Sequence, residues 1–89
     1  MRSPKDWNLH VDPNIARALE KIPRRAAERI FKVIKSLEIN PFAGDIQKMK
    51  GEDNVWRRRI ESYRLFYKIM TSEKIILVFH LERRSSKTY

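Results

Sequence analysis

In "DWNLHV", residues 6–11, Trp7, Leu9 and Val11 alternate with Asn8 and His10. Period two over so few residues predicts a short, half-buried strand. The period then changes. "DPNIARALEKI" offers Asp12 as a cap and Pro13 for the first helical turn, and Ile15, Leu19 and Ile22 recur on one face. Pro23 ends that helix and starts the next. In "RRAAERIFKVIKSLEIN" the apolar stripe runs through Ala27, Ile30, Ile34 and Leu37, with Phe31 widening it. Arg24, Arg25, Glu28, Arg29, Lys32 and Lys35 fall mostly on the opposite side. "NPFAGD" reads as a loop from its Asn, Pro and Gly content. Period two returns in three segments, 55–60, 63–70 and 74 to about 81, joined by the short connections "ES" and "TSE". Those three segments form an antiparallel meander. The order β-α-α-β-β-β predicts an α+β fold, with two N-terminal helices packed on one antiparallel sheet.

Length and composition narrow the field. The 89 residues suit a single domain, 1–89, with no room for a second core. Cysteine is absent, which excludes disulfides, thiolate metal sites and a thiol nucleophile. The longest apolar run, "IILVF", falls far short of the ~20 residues a membrane helix needs. "MRSPKDWNLH" lacks the apolar segment of a secretory signal, so a soluble, cytoplasmic protein with no membrane partner is expected.

Charge changes the picture more. The net charge is +9, and it is unevenly spread. The first 54 residues carry eleven Lys/Arg against eight Asp/Glu, and the last 35 carry nine against three. The excess therefore sits in the predicted sheet, where it would attract nucleic acid or an acidic protein.

Alternation says where that charge points. In "VWRRRI", Trp56 and Ile60 call for the helix-covered face, which sends Arg57 and Arg59 to the open one. Arg58 shares the face of Trp56, its stem running out at the edge of the core. In "YRLFYKIM", Tyr63, Leu65, Tyr67 and Ile69 belong to the core, leaving Arg64, Phe66 and Lys68 opposite. Arg57, Arg59 and Arg64 are thus expected to converge beside Phe66. Two unit charges 4 Å apart repel by about 4 kcal/mol at an effective dielectric near 20, so a polyanion would relieve the cluster. Arginine suits that ligand because its fork binds phosphate oxygens in pairs.

"KMKGEDNVWRRRIESYRLFYKI", followed by a strand and "ERRSSKTY", resembles the RelE side of the RelE/ParE toxin superfamily. "LEKIP" and "LEINPF" extend the resemblance over nearly the whole chain. It implies a RelE-like microbial RNase-type fold and an mRNA interferase that cuts messenger RNA in the ribosomal A site. It also implies a cognate antitoxin, with the toxin alone a monomer and the pair a hetero-oligomer. Position by position, Arg57 and Arg59 match the residues that stabilise phosphate, and Arg64 matches a transition-state stabiliser. Arg83 matches the basic residue proposed as general acid, and Tyr89 the tyrosine proposed as general base. Glu82 occupies a place where some relatives carry histidine, so a histidine mechanism at that place is not expected.

The chemistry needs a base for the 2′-hydroxyl, charge relief at phosphorus and a proton for the 5′ leaving oxygen. It requires neither metal nor cofactor. Lowering the Tyr89 phenol by ~3 units takes about 4 kcal/mol, which nearby guanidiniums can supply. Arginine keeps its proton above pH ~12, so Arg83 reads better as an electrostatic stabiliser of the leaving oxygen, with water as the donor. Lys48, Lys50, Arg58 and Arg84 are candidate contacts to RNA or ribosome phosphates, and Phe66 a surface on which a base can stack. His10 and His80 read as ordinary strand histidines. Other readings stay open: a ParE-like gyrase poison, a non-catalytic RNA- or ribosome-binding module, and a protein-only interaction domain.

Overall fold

The computed structural model describes residues 7–83. Seven elements follow in order: β1 (Asn8–Val11), α1 (Pro13–Glu20), α2 (Arg24–Ser36), β2 (Ile46–Lys48), β3 (Val55–Ile60), β4 (Tyr63–Met70) and β5 (Ile75–Arg83). The strands form one sheet in the order β1-β5-β4-β3-β2.

Two features correct the expected antiparallel sheet. β1 runs parallel to β5, with Leu9 opposite Ile76 and Val11 opposite Val78, so the sheet is mixed. Parallel neighbours need a long crossover. Here everything between β1 and β5 supplies it. In addition, β2 pairs with β3 as a short edge strand. At three residues it is too short to show a periodic pattern.

Both helices start as their sequences dictate. The Asp12 carboxylate accepts from the Asn14 backbone N–H at 2.9 Å, and Pro13 fills the first turn. That bond, then the Asn14 side-chain donor, holds the Asp12 carboxyl below its ordinary value. The Asn14 amide also donates to the Phe79 carbonyl at 3.1 Å, tying α1 to β5. α2 begins after Pro23 and has no side-chain cap. Its Ile30 and Ile34, with Leu37 just beyond, are buried. Phe31 does not join them and is 55% exposed. A helix turns about 100° per residue. With Ile30 facing the sheet, Phe31 swings out to a shallow apolar groove shared with Leu19 and Ala27.

Ile15, Ile30, Ile34 and Leu37 pack on Ile60, Tyr63, Leu65, Tyr67, Ile69, Ile76 and Val78 to form the core. All the β4 members have odd numbers, so one face of the sheet is closed by the helices. Tyr67 is fully buried and its hydroxyl donates to the Pro41 carbonyl at 3.4 Å. Burial pushes that phenol up to about 12, against a smaller downward pull from the Arg58 charge.

Candidate functional site

Residues directly opposite one another in an antiparallel pair share a face. β3, β4 and β5 therefore lay down two rows on the side the helices leave open. The first row is Arg59–Arg64–Glu82. The second is Gln47–Arg57–Phe66–His80, reaching β2 at its far end. The structure thus brings Arg57, Arg59 and Arg64 to one surface with Phe66 among them.

The three arginines are held differently. Arg57 donates a hydrogen bond to the Gln47 side-chain oxygen. Arg59 is exposed and has no ion pair or hydrogen bond from its side chain among the described residues. Arg64 is half-buried and pairs with Glu82, Nη1 to Oε2 at 3.2 Å. Its Nε is buried without a hydrogen-bond partner. An unmet buried donor costs roughly 1–3 kcal/mol. The resting ion pair therefore leaves this guanidinium incompletely satisfied.

Glu82 also reaches His80, its Oε1 lying 3.2 Å from Nε2. The His80 ring packs against Phe66 with centroids 5.3 Å apart and planes inclined at 46°. Neither His80 nor Glu82 is among the expected residues of this face, and His80 departs from the ordinary strand histidine that the sequence suggests. The reason is a bulge in β5. Phe66 pairs with His80 and Tyr67 with Val78, which leaves Phe79 as an extra residue. Ile76 and Val78 are core residues. Plain alternation from them would carry His80 and Glu82 under the helices. One inserted residue reverses that parity, because side chains alternate strictly along a strand. Two polar residues spaced i, i+2 in "HLE" were the only local signal.

The same reversal moves Arg83 away. It pairs with Tyr63, and its guanidinium carbon lies 6.0 Å from the Tyr63 ring centroid, on the helix side at the end of the sheet. Arg83 is thereby separated from the three open-face arginines. Arg58 also lies on the helix side, opposite Leu65 and Ile46. Its Nη1 donates to the Ala43 carbonyl at 3.0 Å. Gly44, at φ +94°, lies directly beneath, where a Cβ would collide with the Arg58 Cζ. Arg58 is a brace for the 43–45 loop, and this use competes with the RNA contact expected of it.

Lys48 pairs opposite Trp56, so it too leaves the open face. Lys50 follows in the turn, and both lysines are exposed beside Glu52 and Asp53 in a shallow depression. Arg84 and Tyr89 lie outside the described residues. No helix among the described residues is long and apolar enough to cross a membrane.

The profile of a known family, the ParE toxin of the type II toxin-antitoxin system parDE, matches residues 8–87. The chain is 27% identical over 81 residues to "Putative toxin RelE1" of Methanocaldococcus jannaschii, covering 88% of this chain and 90% of that one. Among solved structures it resembles the archaeal RelE-RelB complex from Pyrococcus horikoshii OT3. That match has a TM-score of 0.81 at 22% identity, over 92% of this chain and 99% of the other. It also resembles the toxin-antitoxin complex RelBE2 of Mycobacterium tuberculosis, with a TM-score of 0.75 at 18% identity over 89% and 99%. At these identities the structural likeness speaks for the fold.

Proposed function

This chain belongs to the RelE/ParE superfamily of type II toxin-antitoxin toxins, and from that premise we propose that it is a ribosome-dependent mRNA endoribonuclease. The observation that carries the reading is the open sheet face, where Arg57, Arg59 and Arg64 stand in register around Phe66. Three guanidiniums on neighbouring strands suit one phosphodiester better than they suit each other. Bidentate contacts from arginine to phosphate are also among the stronger hydrogen bonds available.

In this reading the scissile phosphate displaces Glu82 from Arg64 and takes the Nη donors that the carboxylate held. Arg57 and Arg59 flank it and offset the charge that grows on the phosphorane oxygens. Attack by the 2′-oxygen breaks the bond to the 5′-oxygen, giving a 2′,3′-cyclic phosphate and a free 5′-hydroxyl. Tyr89 is the base that takes the 2′-hydroxyl proton. Phe66 offers an aromatic face to an adjacent base. Lys48, Lys50 and Arg84 contribute sequence-independent attraction to RNA or ribosome. The expected role of Arg83 at the leaving oxygen is not part of this reading, since Arg83 occupies the other face.

A cognate antitoxin is the partner. Phe31, Ile39 and Phe42 are large apolar side chains left about half exposed or more. Such surface suits a protein cover. The partner would keep the nuclease silent by occupying or distorting the arginine face.

The matching family profile is a ParE one, which supports a second reading as a gyrase poison. Inducing the chain in cells, while mapping RNA 5′ ends and gyrase-linked DNA breaks, separates the two. Codon-positioned mRNA cuts that disappear in Arg64→Ala are the expected result. DNA breaks without mRNA cuts would replace the nuclease reading with the gyrase one.

A further inference from the structure

An arginine-lined phosphate site leaves one step of RNA cleavage unserved. The 5′-oxygen departs as an alkoxide unless a proton reaches it, and guanidinium is too weak an acid to supply one. Among the side chains that the two open-face rows bring together, one is built to gain and lose a proton near neutral pH. That side chain is His80, and its setting is specific. Its ring leans on Phe66, and its Nε2 faces the Glu82 carboxylate at 3.2 Å. The same carboxylate holds Arg64 through its other oxygen at 3.2 Å.

We propose that His80, oriented by Glu82, is the general acid that protonates the 5′ leaving oxygen, an inference that rests on the nuclease reading above. In the protonated ring, Nε2–H is held by Glu82 and Nδ1–H remains free to donate. His80 Nδ1 makes no hydrogen bond among the described residues. As the O2′–P bond forms and the P–O5′ bond breaks, the Nδ1 proton passes to O5′ and leaves a neutral imidazole. Solvent returns that proton before the next turnover. Glu82 links the two halves of the site. While Arg64 rests on it, the carboxylate is shared between a guanidinium and the imidazole. Once phosphate takes Arg64, the carboxylate serves His80 alone, so the acid is best supported when substrate is in place.

Among the described residues, the charged and titratable groups around His80 are few. Arg57 and Arg59 come from β3, Arg64 and Lys68 from β4, and Glu82 from β5 itself. His10 on β1 sits opposite Leu77, further along the sheet. Asp12 at the start of α1 is taken by Asn14.

The test uses ribosome-bound mRNA carrying either a normal scissile linkage or one in which sulfur replaces the bridging 5′-oxygen. A thiolate leaves without a proton. His80→Gln is expected to slow the normal linkage by about 10²-fold or more, while changing the thio linkage by less than about threefold. Glu82→Gln should show the same rescue with a smaller loss, about tenfold on the normal linkage. Arg64→Ala should impair both linkages, and His10→Gln neither. Equal impairment of His80→Gln on both linkages, or a wild-type rate on the normal one, overturns the assignment and leaves the nuclease reading intact. Failure of the wild-type chain to cut either linkage overturns both. Thermal melting of each variant shows whether a loss comes from unfolding.

Discussion

Arg58 and Arg64 sit on adjacent strands, one on each face of the same sheet, and they are used in opposite ways. Arg58 donates to the backbone carbonyl of Ala43 and lies flat over Gly44. Its partner cannot move without the loop moving, so the guanidinium is part of the fold. Arg64 is held by a side-chain carboxylate, and one of its nitrogens has no partner. A carboxylate can be replaced by a phosphate oxygen; a carbonyl fixed in a loop cannot follow. The lesson is that the partner's mobility, more than the cation's exposure, separates a structural arginine from one available to a ligand.

That contrast is broken or sharpened most directly by removing each arginine in turn. Arg64→Ala is expected to lower the single-turnover cleavage rate by about 10²- to 10³-fold and to leave the melting temperature nearly unchanged. Arg58→Ala should do the reverse. Urea unfolding should show a loss of about 1–3 kcal/mol, with cleavage per folded molecule within about threefold of wild type. Equal stability losses for both would erase the distinction.

Gly44→Ala probes the brace from the other side. A Cβ there meets the Arg58 guanidinium, and the φ of +94° is strained for any L side chain. A loss of about 1–3 kcal/mol is expected. In an Arg58→Ala background the clash disappears and only the backbone strain remains, so the two effects should fall short of adding.

Smaller effects belong to features outside the contrast. Asp12→Ala should lower the urea midpoint slightly through the lost helix cap. The folded Asp12 carboxyl lies below its ordinary value of 3.8. Its contribution is therefore complete above that value and is lost as pH falls through the lower, folded one. Urea midpoints of wild type and Asp12→Ala should converge in acid below about pH 4. Smallest of all, Lys50→Ala should weaken ribosome binding modestly and flatten the slope of log K against log salt by about 0.7–0.9.

Much of the molecule was legible in order along the chain. The cap at Asp12, the odd-numbered core residues of β4 and the sharing of one face by Arg57, Arg59 and Arg64 all follow from local periodicity. Phe31 stays out of the core because an apolar residue at the border of a helical stripe packs only if a neighbour meets it. β2 leaves no mark in the sequence because an edge strand of three residues draws its stability from β3 rather than from its own residues. The parallel pairing of β1 was invisible because chain order does not say which edge a strand will join.

Sequence by itself settled the two helices, the three-strand meander and the arginine face, since each depends on the spacing of residues within one segment. Tertiary structure alone decided which face His80, Glu82 and Arg83 would occupy. Those three lie beyond the bulge at Phe79, where β5 takes in one residue more than β4. The carbonyl of that residue finds its donor in Asn14, 65 positions earlier. A strand read alone keeps its parity; only pairing with a neighbour, and a hydrogen bond from a distant helix, can shift it by one.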